Sequence, residues 1–147
     1  MELKEQIYND LKQAMKDQDK DILNTLRGVK GAVQLEVINN KKEENDDLYL
    51  DVINKQIKMR NDSISEFQKA NRTDLIDSYK HEIDILSKYM PKMLTDEELN
   101  KIIDDVFNEV NPTSMKDFGN IMKTITPLVK NRCDMSKLSG IIKTKLN

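Results

Sequence analysis

Apolar residues recur three or four positions apart along almost the whole chain, and this period limits the fold more than any other feature. The first helix shows the period in its simplest form, with Leu3, Ile7, Leu11 and Met15 in steps of four. Residues at that spacing share one face of an α-helix, which can then pack against a core. No stretch has the apolar–polar alternation of a strand. The sequence therefore predicts an all-α, multihelical fold.

Capping residues and breaks in the pattern divide the first part of the chain into about four helices. Asp19 or Asp21 could cap the second helix, and the polar run 39–47 indicates a loop or a frayed helix end. The third helix is expected over about 48–70, and Asn71 separates it from the fourth. These helices form the predicted N-terminal subdomain.

Pro91 marks the predicted boundary between two subdomains, because the residue before a proline disfavours helical geometry. We place an N-terminal helical subdomain at 1–92 and a smaller three-helix C-terminal subdomain at 93–147. The capping box Thr95-x-x-Glu98 is expected to begin the fifth helix.

Two more helices complete the predicted C-terminal subdomain. Ser114 can cap the sixth helix, with Asp117 at the capping-box position, and Asp134 can cap the seventh, which ends at Leu146. The apolar side of the sixth helix consists of Phe118, Ile121, Met122, Ile125, Leu128 and Val129. The apolar seam of the seventh consists of Met135, Leu138, Ile142 and Leu146.

Composition indicates a soluble protein of the reducing interior of a cell. Charged residues make up 34% of the chain and hydrophobic residues 37%, a profile that suits helices. The single cysteine, Cys133, cannot form an internal disulfide, and the N-terminus lacks the apolar segment of a signal peptide. No apolar run is long enough to span a bilayer. We therefore expect a cytoplasmic protein without a membrane partner.

Motifs for catalysis, metal binding and cofactor binding are absent. The chain has no glycine-rich phosphate loop, no Cys–His cluster and no Gly-x-Ser-x-Gly elbow. Its one histidine, His81, lies nearly opposite the apolar stripe of the fourth helix, so we expect an exposed side chain. The sequence thus predicts no catalytic residue, no metal and no cofactor, and it does not predict catalysis by this chain alone.

Arg60 is unusual because it falls on the apolar face of the third helix, in the arc that holds Val52 and Phe67. A guanidinium there needs a partner, because burying an unpaired charge is costly. Two interpretations stay open. Arg60 forms an ion pair with Glu82 or Asp84 of the fourth helix, or its charge is held ready for a phosphate.

Charge is unevenly distributed in the C-terminal subdomain. Six acids and one lysine lie between 95 and 110, whereas seven bases and two acids lie between 111 and 147. On the sixth helix, Lys116, Lys123 and Lys130 line up opposite the apolar side. The same outward face carries a glycine, an asparagine and a proline: Gly119, Asn120 and Pro127.

The seventh helix repeats this arrangement, with Gly140 outward between Lys137 and Lys143. Lysines supply point charges for phosphates, and an outward glycine leaves the backbone open to close approach. The predicted nucleic-acid-binding residues are Lys116, Gly119, Lys123, Lys130, Arg132, Lys137, Gly140 and Lys143. The alternative is a solvated face on which the glycines are merely tolerated.

The chain resembles the YqeY family over almost its whole length. The resembling segments are MELKEQIYNDLKQAMKDQDK at 1–20, LRGVK at 26–30, Gln56-x-Lys58-x-Arg60-x-Asp62-Ser63, Phe67-x-x-Ala70-x-Arg72-x-Asp74-Leu75, Tyr89-Met90-Pro91, Asp117-Phe118-Gly119-x-Ile121-Met122 and Pro127-x-Val129-Lys130. The resemblance implies a helical protein of two subdomains.

From about Met93, the chain is similar to the tail domain of the B subunit of the tRNA-dependent glutamyl/aspartyl-tRNA amidotransferase. In that enzyme the tail is a helical appendage that contacts tRNA, while ammonia production and ligation occur elsewhere. The resemblance therefore implies a tail of the tRNA-binding type and no active site. The chain departs from the pattern at Asn120, often a lysine in the family, and at 131–135, where only Arg132 and Asp134 match a segment usually bracketed by glycines.

Three functions are open at this stage. The first is a non-catalytic accessory protein whose tail binds tRNA or another structured RNA through phosphate and sugar contacts. The second is a protein–protein interaction module without RNA binding, which would dock a protein partner through the acidic fifth helix or the long third helix. The third is a carbon–nitrogen ligase with glutamine as amide donor, and the lack of a nucleophile–base constellation argues against it.

Overall fold

The computed structural model describes residues 2–147, and these residues form seven α-helices and no strand. The helices are α1 (Glu2–Asp17), α2 (Lys20–Asn39), α3 (Asp46–Lys69), α4 (Thr73–Ser87), α5 (Asp96–Val110), α6 (Phe118–Val129) and α7 (Met135–Leu146). The prediction of an all-α, multihelical fold is confirmed. No helix within 2–147 is both long and apolar enough to cross a membrane.

The helix ends are set by short-range polar contacts. Asp19 caps α2, since its Oδ1 accepts a hydrogen bond of 3.1 Å from the backbone N–H of Ile22. At the start of α5, Thr95 and Glu98 satisfy each other's backbone N–H groups in a complete capping box. Asn111 ends α5 in the left-handed region, where asparagine is tolerated better than most residues.

The helices belong to two compact units, Met1–Met90 and Pro91–Asn147. The core of the N-terminal unit is formed by side chains from α1, α2, α3 and the end of α4. Its fully buried members are Ile7, Leu26, Val29, Val33, Tyr49, Ile53 and Leu86. Two phenols of this unit reach carboxylates, because the Tyr49 hydroxyl donates to Glu44 at 2.8 Å and the Tyr89 hydroxyl donates to Asp10.

The C-terminal unit has its own core, built from one face of each of its three helices. Its buried members are Leu99, Ile103, Val106, Ile121, Ile125, Val129, Leu138 and Ile142. The segment before α5 is joined to the α6–α7 loop by a backbone hydrogen bond of 2.8 Å from Leu94 N–H to the carbonyl of Arg132. The basic segment therefore rests on a small hydrophobic core.

The structure differs from the sequence-based expectation at the start and the end of the sixth helix. Ser114 caps a single 3-10 turn, Met115–Asp117, and α6 begins only at Phe118. Leu128, predicted on the apolar side, is 53% exposed. It lies in the last turn of α6 with about half of its surface open to solvent, so that prediction was wrong. Helical period fixes the direction of a side chain but not whether another element covers it.

Candidate nucleic-acid interface

An exposed stripe on α6 carries the centre of the predicted interface. Gly119, Lys123 and Pro127 are four residues apart and all are exposed. A Cβ atom added at Gly119 would meet nothing within 4 Å, so the backbone is open at that position. Pro127 has no N–H to donate to the carbonyl of Lys123, which leaves an additional polar group on the same stripe. We call Lys116, Gly119, Lys123, Pro127 and Lys130 the tail surface.

The lysines of the tail surface occupy three different backbone settings. Lys116 lies in the 3-10 turn before α6, Lys123 lies within the helix, and Lys130 is the C-cap residue. All three side chains are exposed. Within residues 2–147, the ammonium groups of Lys116 and Lys123 have no carboxylate partner. These two charges are available to an anion from outside.

Asp117 follows Lys116 directly in the chain, and its carboxylate is engaged in backbone capping. Its carboxylate accepts hydrogen bonds from the N–H groups of Thr113 at 2.8 Å and Ser114 at 3.4 Å. The bond from Thr113 is the main reason why the pKa of Asp117 lies below its ordinary value. Its charge stabilises the turn that places Lys116 ahead of Gly119.

Lys143 extends this surface from α7. Its Nζ lies 5.3 Å from the ring centroid of Phe118, the residue directly before Gly119. A cation at that distance is attracted by the negative face of the ring. The structure therefore brings together Lys143 and the start of α6, which are far apart in the sequence.

The remaining α7 lysines are drawn to the acidic helix α5. Lys137 Nζ is 3.0 Å from Asp96 Oδ1, and Lys145 Nζ is 3.6 Å from Asp104 Oδ1. Exposed ion pairs of this kind contribute little stability. The carboxylates of α5 nevertheless partly neutralise these two lysines, which lowers the positive charge available to an anion. Gly140 is open to solvent beside Lys137. Sequence reasoning found the acids and the bases separately and missed that they would meet.

Arg132 has a structural position. Its Nε donates a hydrogen bond of 3.2 Å to the carbonyl of Lys92, and its own carbonyl accepts from Leu94. The guanidinium thus helps to hold the segment before α5 against the α6–α7 loop. Arg132 and Lys137 are two of the eight predicted residues, and their partners compete with a phosphate.

Arg60, in the N-terminal unit, lies against its own helix and α4. Its Nη2 is 3.7 Å from Glu82 Oε1, and its Nη1 donates to the carbonyl of Gln56 at 3.3 Å. The guanidinium also lies 6.0 Å from the ring of Tyr79, and only 20% of the side chain is exposed. Of the two interpretations, this geometry matches the ion pair with Glu82.

Replacing Arg60 with Ala is expected to lower the free energy of unfolding of the N-terminal unit by about 1–3 kcal/mol, because Glu82 would lose its partner in a half-buried position. Denaturant unfolding measures the change. Lys58→Ala, on an exposed position of the same helix, is the matched control and should shift stability by less than about 0.5 kcal/mol. A loss of RNA affinity at unchanged stability in Arg60→Ala would instead favour the phosphate interpretation.

The other reactive side chains are not grouped. His81 is exposed, as predicted, with Nε2 3.7 Å from Asp21 Oδ2. Burial, followed by the nearby charge of Asp134, raises the pKa of the Cys133 thiol, which keeps it protonated near neutral pH. Residues 2–147 contain no group of His, Cys, Asp and Glu side chains arranged to hold a metal ion.

The sequence of this chain is similar to a known protein family and to several known proteins. A family model described as Yqey-like protein matches residues 4–146. The protein named "Altered inheritance of mitochondria protein 41, mitochondrial" from Pyrenophora tritici-repentis is 30% identical over 129 residues, which is 84% of this chain and 68% of that protein.

Proteins of the same name from two yeasts are also similar. The Kluyveromyces lactis protein is 41% identical over 84 residues, covering 56% of this chain and 45% of its own length. The Saccharomyces cerevisiae protein, strain RM11-1a, is 35% identical over 95 residues, covering 64% and 51%. This chain thus matches between about half and two thirds of the length of these relatives.

Proposed function

This chain belongs to the YqeY family, and from that premise we propose that its C-terminal unit binds tRNA or another structured RNA through the phosphate backbone. One observation carries the proposal. Lys116 and Lys123 lie without carboxylate partners on either side of Gly119, whose backbone is open, while the paired lysines of the unit are directed to α5. The role is that of a non-catalytic accessory protein.

Phosphate contacts and an accessible backbone suit a ligand that is recognised by shape. Lysine ammonium groups neutralise phosphates, and a glycine without a covering side chain lets a ribose–phosphate chain approach. Two further groups beside the lysines can form hydrogen bonds with a ribose 2′-hydroxyl. The side-chain amide of Asn120 can donate to the hydroxyl oxygen, and the carbonyl of Lys123 can accept from the hydroxyl group. The groups that this surface offers are charges and backbone atoms, so we propose binding without sequence readout.

The similarity of the C-terminal part to the amidotransferase tail supports an RNA of the tRNA type. The proposal transfers a binding surface and no reaction, because a shared module does not carry the active site of a larger enzyme. We propose the cytoplasm as the compartment in which this chain meets RNA.

A second candidate function is supported by the N-terminal unit. Leu35 and Ile38 of α2 and Met59 of α3 are exposed by 60%, 70% and 58%. Large apolar side chains that are exposed on a surface are a common feature of protein–protein contacts when they are grouped. A protein partner that docks along α2 and α3 is therefore the alternative to RNA binding.

The test of RNA binding is a fluorescence-anisotropy titration of labelled total cellular tRNA with the purified chain over a series of salt concentrations. We expect the logarithm of the affinity to fall linearly with the logarithm of the salt concentration. The Lys116→Ala, Lys123→Ala double variant should make this negative slope shallower by about two, because each lysine contributes about one phosphate contact.

The matched control is the Lys92→Ala, Lys101→Ala double variant, which removes the same charge from exposed positions outside the tail surface. It should leave the slope nearly unchanged. Equal losses in both double variants would show that only net charge matters, and absence of binding at low salt would contradict the proposal. A salt-independent protein complex would then favour the second candidate.

A further inference from the structure

A second group of unpaired cations lies in the N-terminal unit, in a cleft of about 300 Å³ between α1 and α2. The cleft is lined by Tyr8, Leu11, Lys12, Met15, Arg27 and Lys30. Three of these six residues are basic and none is acidic. The basic residues come from two helices, so only the packing of α1 against α2 brings them together.

Some other bases of this unit have carboxylate partners, whereas the three bases of the cleft have none within residues 2–147. Lys4 pairs with Glu44 at 3.3 Å, and Lys42 pairs with Glu36 at 3.4 Å. In the part of the chain described by the structure, Lys12, Arg27 and Lys30 form no ion pair. All three are exposed, so an anion can reach them without any rearrangement of the fold.

The position of Lys30 is fixed by the wall of the cleft. Its Nζ lies 4.7 Å from the ring centroid of Tyr8, within the range of a cation–π contact. Lys4 lies 5.6 Å from the same ring, on which it is held by its ion pair with Glu44. The Tyr8 side chain is itself half-buried and packs against the core of the unit. The ring is thereby anchored, and it holds one ammonium group at the cleft.

The floor of the cleft is apolar. Leu11 is buried beneath it, and Met15 lies beside it with 53% of its surface exposed. Methionine adapts its shape to a planar group, and its sulfur makes favourable contacts with aromatic rings. The volume is at the lower limit for a small-molecule site, which fits one nucleotide unit. A phosphate would contact the basic rim, while the base would lie on the floor beside Tyr8.

We propose that the α1–α2 cleft binds the phosphate of a nucleotide unit, through Lys12, Arg27 and Lys30. The nucleotide is either free or part of an RNA strand, since the recognising chemistry is the same. This inference goes beyond the proposed function, because the cleft lies in the N-terminal unit and uses no residue of the tail surface.

The experiment is a nuclear magnetic resonance titration of the full ¹⁵N-labelled chain with adenosine 5′-monophosphate, with adenosine, and with inorganic phosphate. We expect the monophosphate to shift the amide resonances of Tyr8, Lys12 and Lys30. Adenosine alone should shift them far less, because it lacks the charge. The Arg27→Gln, Lys30→Gln double variant should bind the monophosphate roughly tenfold more weakly or worse, since hydrogen bonds to charged groups are the strong ones.

The matched control is Lys58→Gln, Lys80→Gln, which removes two exposed charges from α3 and α4, helices that do not line the cleft. It should retain binding. Equal shifts with adenosine and its monophosphate, equal losses in both double variants, or no shifts at all would each overturn the proposal.

A short single-stranded oligoribonucleotide distinguishes the two sources of phosphate. Tighter binding than the mononucleotide, lost in the cleft variant, identifies an RNA strand as the ligand, and binding no tighter identifies a free nucleotide. The Lys116→Ala, Lys123→Ala variant should retain mononucleotide binding at the cleft. Failure of the tail surface and failure of the cleft can therefore be told apart.

Discussion

Replacing Ile125 with Ala should unfold the C-terminal unit at temperatures at which the wild-type unit is stable. Ile125 is fully buried in the middle of α6, and truncation of such a side chain costs about 2–5 kcal/mol. A unit of this size is stabilised by only about 3–9 kcal/mol. Thermal unfolding followed by circular dichroism should show an early transition for this unit. The N-terminal unit has a separate core, so its helical signal should persist.

Leu128→Ala is the matched control, because it truncates an apolar side chain three residues later on the same helix. Leu128 is exposed, so the change in stability should stay within about 0.5 kcal/mol. The proposed function adds a second readout, since loss of α6 also dismantles the tail surface and should abolish its RNA binding. Equal effects of the two substitutions would contradict the packing described for α6.

The N-terminal unit should lose stability steeply above about pH 10, the ordinary pKa of a tyrosine. Burial, with the adjacent carboxylates Glu44 and Asp10, raises the pKa values of Tyr49 and Tyr89. A group whose pKa is raised in the folded state contributes stability that is present below its unfolded pKa and lost as the pH rises above it. Each phenol should therefore reduce the free energy of unfolding by about 1.4 kcal/mol per pH unit in this range.

Urea unfolding at a series of pH values between neutral and alkaline would measure this slope. In the Tyr49→Phe, Tyr89→Phe double variant, the part of the slope due to these phenols should disappear, at the cost of lower stability near neutral pH. The four tyrosines, Tyr8, Tyr49, Tyr79 and Tyr89, all lie in the N-terminal unit. A wild-type slope no steeper than that of the double variant would refute the assignment.

Fewer bases are available to RNA in the structure than the number of bases in the sequence suggests. The basic segment after Asn111 carries seven bases, but α5 supplies acids to Lys137 and Lys145. The ammonium groups of Lys116, Lys123 and Lys143 have no carboxylate partner within residues 2–147 and remain for an anion. If the proposal is right, a surface of this charge would make few phosphate contacts, so we expect a modest affinity and a shallow dependence on salt.

Helices and their ends follow from interactions between residues close in the chain. The cap of Asp19 on Ile22 and the box of Thr95 with Glu98 each span three residues. A capping hydrogen bond depends on local backbone geometry, which the sequence specifies directly. The helical period is equally local, so the seven helices and the outward direction of Gly119 could be predicted from the sequence without knowledge of the packing.

Partner choice between helices depends on packing, which local sequence does not specify. Lys137 and Asp96 are 41 residues apart in the chain. The sequence alone allowed Arg60 to pair with Asp84 as readily as with Glu82, its partner in the structure. The exposure of Leu128 was missed for a similar reason, because helical period gives a direction but not a neighbour.

The sequence by itself thus determined the helices, their caps and the basic character of the tail. The tertiary structure decided which lysines stay unpaired, and it created the α1–α2 cleft, for which the sequence carried no signal. Lys12 and Lys30 belong to different helices, and neither is part of a motif. Helix formation depends on neighbours within a few residues, whereas a site between helices exists only after their apolar faces have packed.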